Sequence, residues 1–185
     1  MSLTLDGGTG NITGLNVEAG NLPAGSILQV KQTHLTTRFS VSYTPGSDFD
    51  ITGLNVSITP SSTDSKILVF ARLSGEINST ESQDSLFKLR RNGTYLGLTS
   101  DGAGSRRTGI AGIALGYGGL DASSTQDSMA FNYLDSPSST APLTYQVSSQ
   151  SRLGTILYVN RAVTDTNTNA YEWLTSSITV MEVAG

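Results

Sequence analysis

From residue 26 onward, apolar residues recur at every second position much more often than at every third or fourth. Phe39, Val41 and Tyr43 alternate with Ser40 and Ser42, and Leu54, Val56 and Ile58 alternate with Asn55 and Ser57. A period of two predicts strands with one face on a core and the other toward water. Ile27 to Val30 opens the series, and Pro45-Gly46 and Pro60-Ser61-Ser62 supply turns between its members. Further strands are predicted at Leu86 to Arg91, Thr94 to Leu96, Met129 to Leu134, Leu143 to Val147, Thr155 to Val159 and Ser177 to Val183. Asn92-Gly93 between two apolar runs predicts a tight hairpin, because both central residues of that turn need positive φ. The glycine-rich stretch Gly97 to Thr125, with Ile110, Ala111, Ile113, Ala114 and Leu115 at its centre, reads as loops flanking a buried strand.

One segment departs from simple alternation. In Lys66 to Ile77, the residues Ile67, Val69, Ala71, Leu73 and Ile77 line one face while Leu68 and Phe70 occupy the other. A strand apolar on both sides asks for cover on both sides. Met129 to Leu134 and Thr155 to Val159 share the property, and three such strands exceed what a two-sheet sandwich hides by itself. Either a loop or a second subunit must supply the extra cover. The subunit reading marks Leu68, Phe70, Phe131, Tyr133 and Tyr158 as contact residues. Strand spacing without helical periodicity predicts an all-β sandwich or barrel, and the longer gaps favour a jelly roll over up-and-down hairpins.

Residues 1–25 differ from the rest. Gly7, Gly8, Gly10, Gly14, Gly20 and Gly25 separate scattered apolar residues, too sparse to fold alone and too glycine-rich for a helix. This segment reads as an attachment arm, with Leu3, Leu5, Ile12 and Leu15 as its anchors, or else as a loose leader; residues 26–185 form the domain.

Composition narrows the function. The 185 residues suit one domain with a real core. Only 14% are charged, and roughly a quarter are Ser or Thr, which describes a hydroxyl-covered surface. A net charge of -4 argues against a nucleic-acid partner. No apolar run approaches the ~20 residues of a membrane helix, and no signal peptide is recognisable at the start. With no Cys, thiol chemistry, disulfides and Cys-based zinc sites are excluded.

Candidate chemistry is thin, and the reading is non-enzymatic, with no cofactor and no metal. His34 is the single histidine, and without an acidic neighbour it reads as a solvent-facing turn residue. Gly112 to Gly119 lacks the Gly-Lys-Ser/Thr ending of a phosphate loop. The carboxylates Asp48, Asp50, Glu81, Asp84, Asp121 and Asp127 do not follow the spacing of a calcium loop, so a surface calcium ion would need a site assembled by folding. The doublets Arg90-Arg91 and Arg106-Arg107 suit solvated positions or ion pairs between subunits.

The ordered series Ile67-Leu68-Val69-Phe70, Leu86 to Thr94, Phe131 to Pro137, Leu143 to Val147, Tyr158 to Arg161 and Ser176 to Val183 resembles a C1q/TNF-like jelly roll as found in bacteriophage virion proteins. The opening Leu3-Thr4-Leu5-Asp6-Gly7-Gly8 is similar to the starts of phage fibre proteins. The resemblance implies a homotrimer without catalytic activity, displayed on the surface of a virion. It further implies either a capsid decoration (cement) protein or the tip of a tail or head fibre that meets a host glycan or receptor. An arm of about twenty-five residues reaches tens of ångströms at ~3.5 Å per residue, which is enough to clasp the major capsid protein but not to build a shaft. That favours the decoration role. A monomeric carbohydrate-binding module is the alternative outside this class. For the fibre role, the loops Ser100 to Arg107 and Asn160 to Ala170 are the first candidates for host contact.

Overall fold

The computed structural model describes residues 22–78, 85–99, 101, 104–112 and 124–185. Eleven strands run through these residues: β1 (Ile27–Leu35), β2 (Phe39–Ser42), β3 (Asp48–Ile58), β4 (Lys66–Ile77), β5 (Ser85–Arg91), β6 (Thr94–Leu96), β7 (Ala111–Gly112), β8 (Asp127–Asp135), β9 (Leu143–Ser151), β10 (Ile156–Val159) and β11 (Ser176–Val183). All pairings are antiparallel. No helix occurs among the described residues.

The two sheets make a jelly-roll sandwich. In the first, β1, β11, β4 and β8 lie side by side, and β10 and β2 continue the β11 side of the long strand β4. In the second, the order is β3, β9, β5, β6, with β7 added to β5. Pairing the first strand with the last, and the second-sheet strands in the same crossed order, is what the long connections anticipated.

The inward faces make one core. Ile67, Val69, Leu73 and Ile77 of β4, Ile178 and Val180 of β11, and Leu157 and Val159 of β10 meet Ile51, Leu54, Phe87, Leu89, Tyr145 and Val147 of the opposite sheet. Each large apolar side chain withdrawn from water contributes about 1.5–3 kcal/mol. The β5–β6 hairpin has the predicted two-residue turn: Asn92 at φ 47° and Gly93 at φ 85° join the Arg91–Thr94 pair. Asn92 also accepts a hydrogen bond from the Thr144 amide on Oδ1 at 2.8 Å, tying the turn to β9.

Several expectations shift. His34 is not in a turn: β1 continues to Leu35, and His34 is an exposed strand residue opposite Ser177. The strand ending at Ile58 begins at Asp48, six residues before the alternation becomes visible. Its register slips between Asp50 and Asn55, where Gly53 takes φ 76°. There Gln146 Nε2 donates to the carbonyls of Ile51 (2.9 Å) and Leu54 (3.1 Å), filling the gap in the ladder. Of the apolar run after Gly97, the strand that is described spans only Ala111–Gly112; Ile113, Ala114 and Leu115 lie outside the described residues.

Candidate functional site

The two outward faces of the sandwich differ in kind. On the second sheet the outward face is charged and self-paired. Lys88 Nζ lies 2.8 and 3.0 Å from the two carboxylate oxygens of Asp48, and Arg90 NH1 lies 2.9 Å from Asp50. Tyr95 donates its hydroxyl to Asp48, and its ring sits 5.0 Å from the Lys88 ammonium and 4.9 Å from the Arg90 guanidinium. Burial, then the bond to Asp48 and that carboxylate's charge, push the Tyr95 hydroxyl up to about 12. The doublet Arg90-Arg91 is therefore engaged within the chain, Arg91 NH1 reaching Asp135 at 2.6 Å.

The first sheet presents a different outward face. Val30 stands opposite Met181, Met181 opposite Leu68, and Leu68 opposite Leu134. Directly opposed residues share a face, so these four side chains form one apolar row across β1, β11, β4 and β8. Phe70 lies in the next row, between Thr179 and Asn132. Val30 is 52% exposed, Phe70 41% and Leu134 50%. Beside Phe70 a depression of about 260 Å³ opens between Arg72, Ala130, Asn132, Ser177 and Thr179.

The other end of this same face is covered by the chain itself. Asn160, at φ 59°, ends β10 and turns the following loop back over the sheet. Its amide donates to the carbonyls of Leu35 and Thr37, both at 2.9 Å, and its Oδ1 accepts from Ser176 Oγ at 2.7 Å. Ala162 is buried, and the Val163 amide donates to the fully buried Glu76 at 2.7 Å. Ser74 Oγ donates to the Thr175 carbonyl at 3.0 Å. A loop thus shelters the Ser74–Glu76 end, while at the other end Phe70 is exposed and Leu68 half-buried.

Above this loop a ladder of rings and charges stands at the sandwich pole. The Arg161 guanidinium lies 5.2 Å from the Tyr158 ring, and Arg161 Nε is 3.5 Å from Asp165. Asp165 accepts from Trp173 Nε1 at 2.5 Å, and the Arg38 guanidinium stacks 3.4 Å over the indole.

Inside, two carboxylates are spoken for. Asp135 accepts from Arg91 and from the Tyr145 hydroxyl, each at 2.6 Å, joining the sheets at one edge. Glu182 Oε1 accepts from the Ser61 amide (2.6 Å), Ser61 Oγ (2.7 Å) and Ser65 Oγ (2.7 Å), while Oε2 accepts from Gln29 (2.6 Å). Burial pushes the Glu182 carboxyl up, but these hydrogen bonds outweigh it and hold it below the ordinary range. Among the described residues no three His, Asp or Glu side chains come together as a metal site.

The predicted contact residues divide. Leu68 and Phe70 face outward, as expected. Phe131 and Tyr133 do not join them: opposed to Ala71 and Val69, they point inward and pack on the core. The outward apolar residues of β8 are Ala130 and Leu134, opposite Arg72 and Leu68, while its rings lie half-covered on the inward side. Tyr158 faces outward opposite Glu76 but serves the loop through Arg161. The arm residues Leu3, Leu5, Ile12 and Leu15, like Glu81, Asp84, Asp121 and Ser100, lie outside the described residues. Sequence reasoning missed Val30, Met181, Leu134 and Trp173. The first three become a row only through register, while a lone Trp in a Thr- and Asn-rich loop was a readable signal.

No protein-family model matches the chain, and no curated protein matches it. Among solved structures it is similar to chains of infectious bursal disease virus. One is from the VP2 subviral particle, at 12% identity and TM-score 0.38, covering 84% of this chain and 37% of that one. Another is from the Gt strain, at 16% identity and TM-score 0.35, covering 86% and 38%. The chain therefore spans little more than a third of those chains' length. At these scores the likeness carries no argument about function.

Proposed function

We propose that this chain is a non-enzymatic structural component of a virus particle, a bacteriophage capsid decoration protein that assembles as a homotrimer. The observation that carries the assembly is the outward apolar row Val30–Met181–Leu68–Leu134, exposed at Val30 and Leu134 and half-buried at Met181 and Leu68, with the exposed Phe70 beside it. Exposed contiguous apolar surface mixed with little charge is characteristic of contact surfaces. The second sheet's outward face is the contrast, since there Lys88 and Arg90 are matched by Asp48 and Asp50. The virion assignment is supported by the jelly-roll order of the strands and by the sequence resemblance to phage virion proteins. Residues 1–25 are the proposed attachment arm to the major capsid protein or another virion protein. Gly25 donates its amide to the Ala184 carbonyl at 2.9 Å, which holds the described start of the chain at the Ile27 end of this sheet.

The assembly is tested by light-scattering mass. Three copies of the 19.4 kDa chain are expected, and Leu68→Asp should return the single-copy mass while Ser57→Asp on the opposite face should not. A wild-type protein that stays single-copy at high concentration refutes the assembly. The attachment reading predicts stoichiometric binding to assembled capsids that is lost on removing the first twenty residues; binding that survives truncation overturns the arm. A second reading, the tip of a tail or head fibre, is favoured by the exposed Trp173 loop at the pole away from residue 22. Free protein that blocks infection of host cells would select it over decoration.

A further inference from the structure

We propose that Trp173 and the loop around it form a glycan-binding platform whose stacking surface is the open face of the indole, seating one pyranose ring. Trp173 is 58% exposed, the most exposed large apolar side chain among the described residues. An exposed Trp is ordinarily mobile, yet this one is fixed from two directions. Arg38 stacks on one ring face at 3.4 Å, and the indole N–H is bound by Asp165 at 2.5 Å. Asp165 is itself steadied by Arg161 at 3.5 Å, and Arg161 donates to the carbonyls of Ala162 and Val163, each at 3.0 Å. The loop beneath is anchored by Asn160 and Glu76. The ordering cost of the ring is therefore met before any ligand arrives, which is the property that makes aromatic anchors effective.

The chemistry of the ligand follows from what is left free. The N–H is already engaged, so the site recognises through its π face rather than by hydrogen bonding from the ring. The loop that carries the ring is polar, with Thr166, Asn167, Thr168 and Asn169 exposed, and the neighbouring Leu174, at 37% exposure, adds apolar area. A flat apolar disc carried on a loop of hydroxyl and carboxamide side chains matches a pyranose, which has one C–H face and a belt of hydroxyls. A protein partner would call for a broader apolar surround, and the net charge of -4 disfavours a nucleobase carried on a polyphosphate. The platform stands on the loop alone and is independent of the virion and trimer readings.

Trp173 is the sole tryptophan, so its emission reports on this site only. The full chain is titrated with maltohexaose, chitohexaose and a soluble bacterial O-polysaccharide, following emission and quenching by acrylamide. Saturable change and protection from acrylamide with at least one of the three are expected. In calorimetry, Trp173→Ala should lose at least tenfold in affinity, and Trp173→Phe should retain part of it. Asp165→Ala, which frees the ring without removing it, should weaken binding several-fold with the fold intact by circular dichroism. No response from any of the three up to about 10 mM, tenfold above the ~1 mM Kd expected of a single stacked ring, overturns the proposal. So does binding that Trp173→Ala leaves unchanged, and so does protection of Trp173 by added protein partners but by none of the sugars.

Discussion

Glu182→Gln should destabilise the sandwich at neutral pH and do so progressively less as the solution is acidified. The carboxylate is fully buried at the C-terminal end of β11 and gathers four donors: the Ser61 amide, the hydroxyls of Ser61 and Ser65, and the Gln29 amide. It thereby holds the Pro60–Ser65 turn and β1 against β11. The glutamine carbonyl can keep the three donors on the Oε1 side, but its NH2 group would face the NH2 of Gln29, donor against donor. Losing one charge-assisted bond and weakening the others costs about 2–3 kcal/mol. For a domain of this length that is a fall in Tm of roughly 5–10 °C. The sign with pH follows from the depressed carboxyl. A group whose folded pKa lies below its unfolded value adds stability that is fully present above the unfolded value, about 4.3, and is lost as pH falls through the folded one. Urea unfolding of both proteins at pH 7, 5, 4 and 3, at one fixed protein concentration, measures the gap. It should be constant from pH 7 to 5 and narrow below pH 4. A variant as stable as wild type at pH 7, or a gap that does not change down to pH 3, would refute the reasoning.

Four further substitutions probe other parts of the structure. A Cβ on Gly75 would sit 2.1 Å from the Tyr158 carbonyl oxygen, so Gly75→Ala must push β10 off β4; a loss of about 3 kcal/mol in urea unfolding is expected. Asp135→Ala strands the buried Tyr145 hydroxyl as well as Arg91 and should cost about 3 kcal/mol, whereas Tyr145→Phe should cost only about 1; a double-mutant cycle then reads their coupling. Asn92→Ala gives up both a residue tolerant of φ 47° and the bond to the Thr144 amide, for about 1–2 kcal/mol by the same assay.

The strands were legible wherever one face is buried and the other wet, because alternation is then enforced residue by residue. Val56, Ile58 and the β5–β6 hairpin are examples. The start of β3 was not, because Asp48 and Asp50 face outward into ion pairs with Lys88 and Arg90 that lie 40 residues away. The two-faced character of β4 was read correctly, and Leu68 and Phe70 do face outward. Assigning Phe131 to the same surface failed for a definite reason. A strand's period tells which residues share a face, but only its register with β4 tells which face is outward. The apolar row itself depends on three successive registers and could not be written from any single segment. The cover over Glu76 was equally hidden, since it depends on Asn160 adopting a left-handed turn held by Leu35, Thr37 and Ser176.

The place of β11 has a consequence for how the molecule comes to exist. It is the last strand in sequence, yet it lies between β1 and β4, so Ile27 waits for Val183 and Leu35 for Ser176. Until β11 has been synthesised, both neighbours present unpaired edges of the kind that invite wrong partners. Closure over such distances is slow, in the range of milliseconds to seconds. The nascent chain is therefore most vulnerable before β11 emerges. Lower growth temperature or chaperone supply should raise its soluble yield more than any change to the finished surface.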